Sequence, residues 1–275
     1  MNVGQWQRWL DGCAIVVVLA YAWLAWNVNQ AVTPIDPVYA GIRARGVLRV
    51  AVDVGYRPFA EERAGELVGF DIDLVRAIGR ELGVDVVFIR SGFDALYDQL
   101  TGQQADLIAA ALPYAPEQGY RARFSRPYFD GGLMLVTQVD STIRQLADLQ
   151  DRRLGVVLGS EGDSLARRFA LQTPVTLIET DEIAPLVQGL RAGTIDAAIL
   201  DRVVALGAIA AGDLRIAAAL SYEPYVLAMP AAAFQLESEI NRVLARLEER
   251  GELQALQLLC RNKMLIIEHP PGRTR

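Results

Sequence analysis

This chain of 275 residues holds one histidine (His269), one lysine (Lys263) and two cysteines (Cys13 and Cys260). Ser-His-Asp catalysis would have to run through His269, in a His-Pro-Pro-Gly tail where nothing is placed to orient an imidazole. A phosphate-binding loop needs its lysine behind a run of glycines, and Lys263 follows none. A zinc site needs three or four His, Cys or carboxylate ligands close together, and the sequence spaces no such cluster. No metal and no cofactor are expected. The abundant ionisable groups are carboxylates. The sequence has 33 Asp and Glu against 27 Lys and Arg, for a formal net charge of −6. With no basic stripe to displace counterions from phosphates, nucleic acid is excluded as a partner. The 26 Arg against one Lys read as a compositional bias.

The only long apolar run covers residues 12–28, uninterrupted as far as Trp26. Its length lies between a signal-peptide core and a full membrane span. All four tryptophans belong to this region, as Trp6/Trp9 and Trp23/Trp26. The pair centres are about 25 Å apart along a helix, the spacing of interfacial anchors at the two ends of a spanning segment. Residues 1–30 are therefore expected to form a signal-anchor or a cleaved signal-peptide helix, with the uncleaved anchor preferred. Leu10-Asp11-Gly12-Cys13 precedes the apolar run instead of following it, which argues against lipidation. Cys13 falls in this segment and is not expected to pair with Cys260. Residues 31–40, with Pro34 and Pro37 and no periodicity, read as a linker.

Beyond residue 40, short β-rich runs alternate with helical patterns. Strands are expected at Val47–Val52, Val84–Ile89, Asp106–Ala110, Leu133–Thr137, Leu154–Leu158, Val175–Glu179 and Ile195–Leu200. Helices are expected at Asp71–Leu82 with Asp71 as N-cap, and at Asp94–Leu100, Asp163–Leu171, Glu182–Arg191 and Gln235–Arg250. Such alternation means α/β with largely parallel sheets. Leu96, Leu100 and Asp106 recur as Leu186, Leu190 and Asp196, each 90 residues on, with a glycine turn in both copies. Either chance produces this echo, or two lobes share one build. In the second case a ligand site would lie between them, beyond the carboxyl ends of their strands.

Seven motifs in order give the chain a recognisable cast. They are Gly46-Val-Leu-Arg-Val-Ala-Val-Asp-Val-Gly-Tyr-Arg-Pro-Phe59, Leu67-Val-Gly-Phe-Asp-Ile-Asp-Leu74, Phe93-Asp-Ala-Leu96, Ala105-Asp-Leu-Ile-Ala-Ala110, Phe124-Ser-Arg-Pro-Tyr128, Leu154-Gly-Val-Val-Leu-Gly-Ser160 and Ile195-Asp-Ala-Ala-Ile-Leu-Asp201. Over about residues 42–265 the chain resembles the extracytoplasmic solute-binding proteins of family 3, the polar amino-acid receptors of ABC importers. The resemblance implies an α/β, two-lobed periplasmic-binding-protein-like clamp of the type II fold, each lobe a mostly parallel sheet flanked by helices, behind an N-terminal hydrophobic helix. Lobe 1 would be 41–136 plus 226–265, lobe 2 would be 137–225, and 266–275 a tail. Two crossovers near Gly132–Gln138 and Tyr222–Met229 would act as the hinge.

The resemblance also proposes ligand-binding residues. Tyr56 and Phe93 match aromatic walls, apt over a cation or an aliphatic chain; the competing reading makes both ordinary core rings. Asp53 matches a position that can face a ligand side chain, and a turn cap competes. Asp201 matches the carboxylate that grips an α-ammonium, with the N-cap of the next helix as its competitor. Ala111, Pro113, Gln118, Ser160 and Glu161 fall at the remaining ligand positions. Asp106 and Asp196 are read as structural. At three places the pattern breaks. Gln118 stands where relatives carry the Arg that pairs with an α-carboxylate. Pro113 replaces a hydroxyl and lacks an N–H, and Glu161 puts an acid where a carboxylate acceptor is expected. A desolvated ligand carboxylate without a charge partner costs several kcal/mol, so a cationic amine or a carboxylate-free polar molecule fits better, unless Arg57 or Arg121 substitutes.

The expected function is capture of a small polar or cationic, amino-acid-like ligand between two lobes and its delivery to an ABC importer permease. The protein is expected to be a monomer outside the cytoplasm, tethered to the membrane by its N-terminal helix. The alternative is a ligand-sensing or protein-partner-binding clamp with a degenerate amino-acid site. An elimination enzyme on the same scaffold would need a poised acid or base, for which Glu161 is the one novel candidate, and no enzyme activity is expected.

Overall fold

The computed structural model describes residues 18–24 and 35–257. The chain divides into one unit ending at Asp36 and a second beginning at Pro37. In the first, residues 18–24 are helical and exposed. The rest of the expected 1–30 helix, with Trp6, Trp9, Cys13 and Trp26, lies outside the described residues, as do Cys260, Lys263, His269 and the 266–275 tail. Among the described residues no helix is long and apolar enough to cross a membrane.

The second unit opens with α1 (Pro37–Arg45), which overwrites the end of the expected linker. Pro37 takes the first helical position, where a missing N–H costs nothing, and Ile42 anchors the helix in the core. The chain continues through β1 (Val47–Val52), a hairpin of β2 (Glu61–Arg63) and β3 (Glu66–Val68), α2 (Phe70–Leu82), β4 (Asp85–Arg90), α3 (Leu96–Thr101), β5 (Leu107–Ile108), β6 (Ala122–Phe124) and β7 (Phe129–Asp130). Next come β8 (Leu133–Gln138), β9 (Arg153–Val157), α4 (Glu161–Ala170), β10 (Thr176–Thr180), α5 (Ile183–Arg191), β11 (Ala197–Asp201), α6 (Arg202–Ala208) and β12 (Leu214–Ala219). The return leg is β13 (Pro224–Tyr225), β14 (Ala228–Pro230) and α7 (Phe234–Glu249).

Two five-stranded sheets result, ordered β4-β1-β5-β14-β6 and β10-β9-β11-β8-β12. Each has two parallel pairs and two antiparallel ones, because a single reversed strand occupies the fourth place. The sheets are thus mixed, more so than the expected mostly parallel build. The reversed strands, β8 and β14, are those by which the chain enters each sheet after crossing over. Because β8 pairs in the second sheet from Leu133 onward, that sheet begins ahead of the expected boundary after residue 136.

The 90-residue echo has a physical basis. β5 and β11 hold the third place in their sheets, and each is preceded by an aspartate that clamps an arginine on the second-place strand. Asp106 accepts from the Arg49 N–H at 2.9 Å and from its guanidinium at 2.8 Å. Asp196 does the same with Arg153, at 2.8 Å for both bonds. Asp106 and Asp196 are therefore structural, as expected. Both faces of each sheet are covered. Along β8, Met134 and Val136 enter one core while Leu133 and Leu135 enter the opposite one, the period of two expected of a strand buried on both faces.

The crossovers touch each other. β7 pairs antiparallel with β13, setting Asp130 opposite Pro224 and Phe129 opposite Tyr225. Asp130 accepts the N–H groups of Gly132 and Glu223, both at 3.0 Å, and its second oxygen pairs with Arg202. Gly132 leaves no room for a side chain, since a Cβ there would lie 2.3 Å from the Ser221 carbonyl oxygen. Gly132→Ala is therefore expected to lower the unfolding free energy by about 1–3 kcal/mol, the usual cost of overpacking a close contact. Urea denaturation of the two proteins measures it; an unchanged midpoint would mean that the crossovers separate without penalty.

Candidate ligand-binding cleft

Segments from both sheets converge on one cavity of about 440 Å³. β1 delivers Asp53 and Tyr56 just past its carboxyl end, the turn after β4 delivers Phe93, and the segment after β5 delivers Ala110, Ala111 and Pro113. From the second sheet, the β9–α4 junction supplies Ser160 and Glu161, and β11 ends on Asp201. The crossover supplies Glu223 and Tyr225. The position is the one open α/β sheets favour for ligands, beyond the carboxyl ends of the parallel strands. Two other cavities of similar size exist, one around Arg45, Arg49 and Asp106, the other around Tyr114, Phe124 and Tyr222. Neither gathers residues from both sheets.

Of the nine residues singled out in the sequence, eight line this cavity and Gln118 does not. Gln118 ends a short 3₁₀ turn and accepts a 2.7 Å hydrogen bond from the Arg121 guanidinium. Glu223, Tyr225 and Ala110 are additions. A signal for Glu223 and Tyr225 existed in the expected crossover at Tyr222–Met229, since a hinge strand between two lobes floors the space they enclose.

The competing readings resolve one by one. Tyr56 is 40% exposed and Phe93 49%, so neither is a core ring. Tyr56 stacks at 5.4 Å on the fully buried Phe59, which in turn meets Phe129 and Tyr225 edge-on. The Tyr56 and Tyr225 hydroxyls lie 3.4 Å apart. Asp201 does occupy the N-cap position of α6, yet its side chain makes no cap bond. Asp53 accepts the Gly55 N–H at 3.2 Å while also lining the cavity, so turn cap and wall coexist. Ser160 caps α4 by accepting the Asp163 N–H at 3.0 Å.

Four carboxylates and no cationic side chain line the cavity. Burial and the neighbouring Glu161 charge push the Asp201 carboxyl up, and burial with Glu161, Asp201 and Asp130 does the same to Glu223. The Tyr56 and Tyr225 hydroxyls are raised too, chiefly by burial. The two arginines expected as substitutes are engaged elsewhere. Arg57 pairs with Glu61 at 3.1 Å. Arg121 sits 4.5 Å over the Tyr97 ring, bonded to Gln118 and 3.5 Å from Asp98.

Two mixed sheets joined by paired crossovers, with a cavity between them, describe a two-lobed solute-binding clamp. By its match over residues 48–258, the chain belongs to the bacterial extracellular solute-binding proteins, family 3. It is 29% identical to the arginine-binding extracellular protein ArtP of Bacillus subtilis over 218 residues, covering 76% of this chain and 84% of that one. The L-cystine-binding protein TcyJ of Escherichia coli K12 is 26% identical over 221 residues, 78% of this chain and 82% of that one. Among solved structures, an ancestral cationic amino acid solute binding protein superposes with a TM-score of 0.66 at 27% identity, covering 80% of this chain and 97% of the other.

One wall of the cleft leans on a buried acid. Asp71 was expected to cap α2, but Gly69 does so with φ 141°, where a Cβ would strike the Phe59 carbonyl oxygen at 2.1 Å. Asp71 instead turns inward, fully buried, and accepts the Ala111 N–H at 2.6 Å, holding that residue at a φ of 44° rare for a side-chain-bearing residue. Burial pushes the Asp71 carboxyl up to about 7. The unfolded chain then loses this proton near pH 4 while the fold keeps it to about 7, so stability falls as pH rises across that window and is flat above it. In Asp71→Asn this contribution to the slope is absent. Between pH 4 and pH 8 the wild type is expected to lose up to about 4 kcal/mol relative to the variant. Parallel denaturation series at both pH values measure this, and equal pH dependence of the two proteins would refute it.

Proposed function

We propose that this protein captures a small polar or cationic, amino-acid-like solute in the cleft between its two lobes and passes it to an ABC importer permease. The observation that carries the reading is a cavity assembled from the strand ends of both sheets and from the crossover joining them. A ligand bridging such parts favours the closed clamp by its differential contacts there. Family membership and relatives named for binding arginine and L-cystine support the same role. The binding residues in this reading are Asp53, Tyr56, Phe93, Ala111, Pro113, Ser160, Glu161 and Asp201, joined by Glu223 and Tyr225, while Gln118 stands aside. The lobes are 37–130 with 226–257 and 133–221, hinged at the crossovers. Relatives named as binding proteins support a non-enzymatic role. The apolar run at residues 12–26 and its flanking tryptophans support export and a membrane tether.

The test is a thermal-shift screen of the full chain against amino acids, amines, quaternary ammonium compounds and small carboxylates. A ligand at a hundredfold excess over Kd is expected to stabilise the fold by about 2.7 kcal/mol. Tyr56→Ala is expected to weaken the hit by about 5–30-fold, from the roughly 1–2 kcal/mol of a partly desolvated aromatic wall over a cation. No shift with any class would favour the protein-partner clamp instead.

A further inference from the structure

Resting on the capture of a solute in this cleft, we infer that the solute is a carboxylate-free organic cation with two separated positive centres, of the aliphatic diamine or guanidino-amine type. The cleft offers a carboxylate no partner. Among its lining residues none is cationic, and three arginines close to them in sequence have partners elsewhere: Arg57 with Glu61, Arg121 with Gln118 and Asp98, and Arg202 with Asp130. Two backbone positions on the lobe 1 wall offer no donor either. On the lobe 1 wall the Ala111 N–H already serves Asp71, and Pro113 has none.

On the lobe 2 wall the start of α4 would be the natural anion seat. The chain has filled it with its own anions. Glu161 is the first helical residue, and Asp163 accepts the Gly159 N–H at 3.0 Å. The side-chain hydroxyls of Tyr56, Tyr225 and Ser160 also line the cavity but carry no charge.

For cations the same walls are well provided. Asp53 comes from lobe 1, Glu161 and Asp201 from lobe 2, and Glu223 from the crossover. Among the described residues no three such groups converge as a metal ion requires. Glu161 acts electrostatically on Asp201 and both act on Glu223, while Asp53 reaches the cavity from the other lobe, so negative charge borders it from two sides, which suits an extended molecule with a positive group at each end over a single compact ion. Tyr56 and Phe93 offer exposed ring faces for the chain between those ends or for a cationic group itself. Burial and mutual repulsion raise Asp201 and Glu223, and a cation beside them would offset both effects.

The experiment compares molecules that differ only by a carboxylate. Calorimetric titrations of the full chain would use cadaverine against L-lysine and agmatine against L-arginine, with a neutral polar amino acid, L-glutamine, alongside. Each amine is expected to bind at least tenfold tighter than its amino acid, and to weaken as pH is lowered toward 5. Asp201→Asn and Glu223→Gln are each expected to weaken amine binding about tenfold or more, with melting curves confirming that the variants fold. If L-lysine, L-arginine or L-glutamine binds as tightly as the amines, solute capture stands and the inference falls. If none of the five molecules binds, the inference falls, and the capture reading falls with it unless another class in the thermal screen shifts the protein.

Discussion

Asp130 is the tie on which the two-lobed arrangement depends. It accepts N–H groups from Gly132 on the outgoing crossover and Glu223 on the returning one, and pairs with Arg202 at the head of α6. Those bonds fix where β8 and β14, the reversed strands, enter their sheets. They also set the floor of the cleft, because Glu223 and Tyr225 belong to the strand that Asp130 clamps. The tie has an electrostatic effect too. It draws Arg202 away from its neighbour Asp201, leaving that carboxylate at a helix N-cap with no cap bond and no paired cation. The joint between the lobes thus helps to strip the cleft of positive charge.

A cavity lined by four carboxylates carries an electrostatic cost. Like charges that share a partly desolvated space disfavour one another's ionised forms, and the upward shifts of Asp201 and Glu223 show this. The four acids come from separate segments of the chain: past β1, the start of α4, the end of β11 and the crossover. The structural acids are treated in the opposite way. Asp106, Asp130, Asp163 and Asp196 each have an arginine beside them. These four scaffold carboxylates are neutralised by arginines, and those of the cleft are left for something else to neutralise.

The sequence revealed the scaffold where periodicity or burial left a mark. Leu96, Leu100 and Asp106 announced their counterparts at 186, 190 and 196 because both copies serve the same place in equivalent sheets. Asp53 and Asp201 were legible because they follow apolar strand runs, so the end of the run marks the end of the strand, whereas Tyr56 and Phe93 were legible only through the family resemblance. Tyr222-Glu-Pro-Tyr225 has no such run, and Glu223 and Tyr225 went unread although the crossover itself was foreseen. Gln118 was misplaced because sequence order cannot show that a 3₁₀ turn aims its side chain at Arg121. Helix α1 was hidden by Pro34 and Pro37, which look like linker residues although Pro37 is a helix opener. Asp71 read as a cap by its position, whereas its partner, Ala111, is 40 residues away.

The likeness of the two sheets locates the source of specificity. β1 and β9 hold the same place and each receives an aspartate clamp on an arginine. β5 and β11 likewise correspond in place. Past those equivalent strand ends the lobes diverge. After β1 comes Asp53 and after β9 Glu161; after β5 comes Ala111, held by a buried acid, and at the end of β11 Asp201. The scaffold residues set only how far apart the strand ends stand. What the cleft accepts is decided by the handful of residues just beyond them, and three of those four positions present either a free carboxylate to the cavity or, at Asp53, one shared with a single turn hydrogen bond. The fourth has its N–H committed inward. A solute entering between such ends meets acceptors on both sides and unclaimed charged donors on neither, so its own donors must supply the contacts that close the clamp.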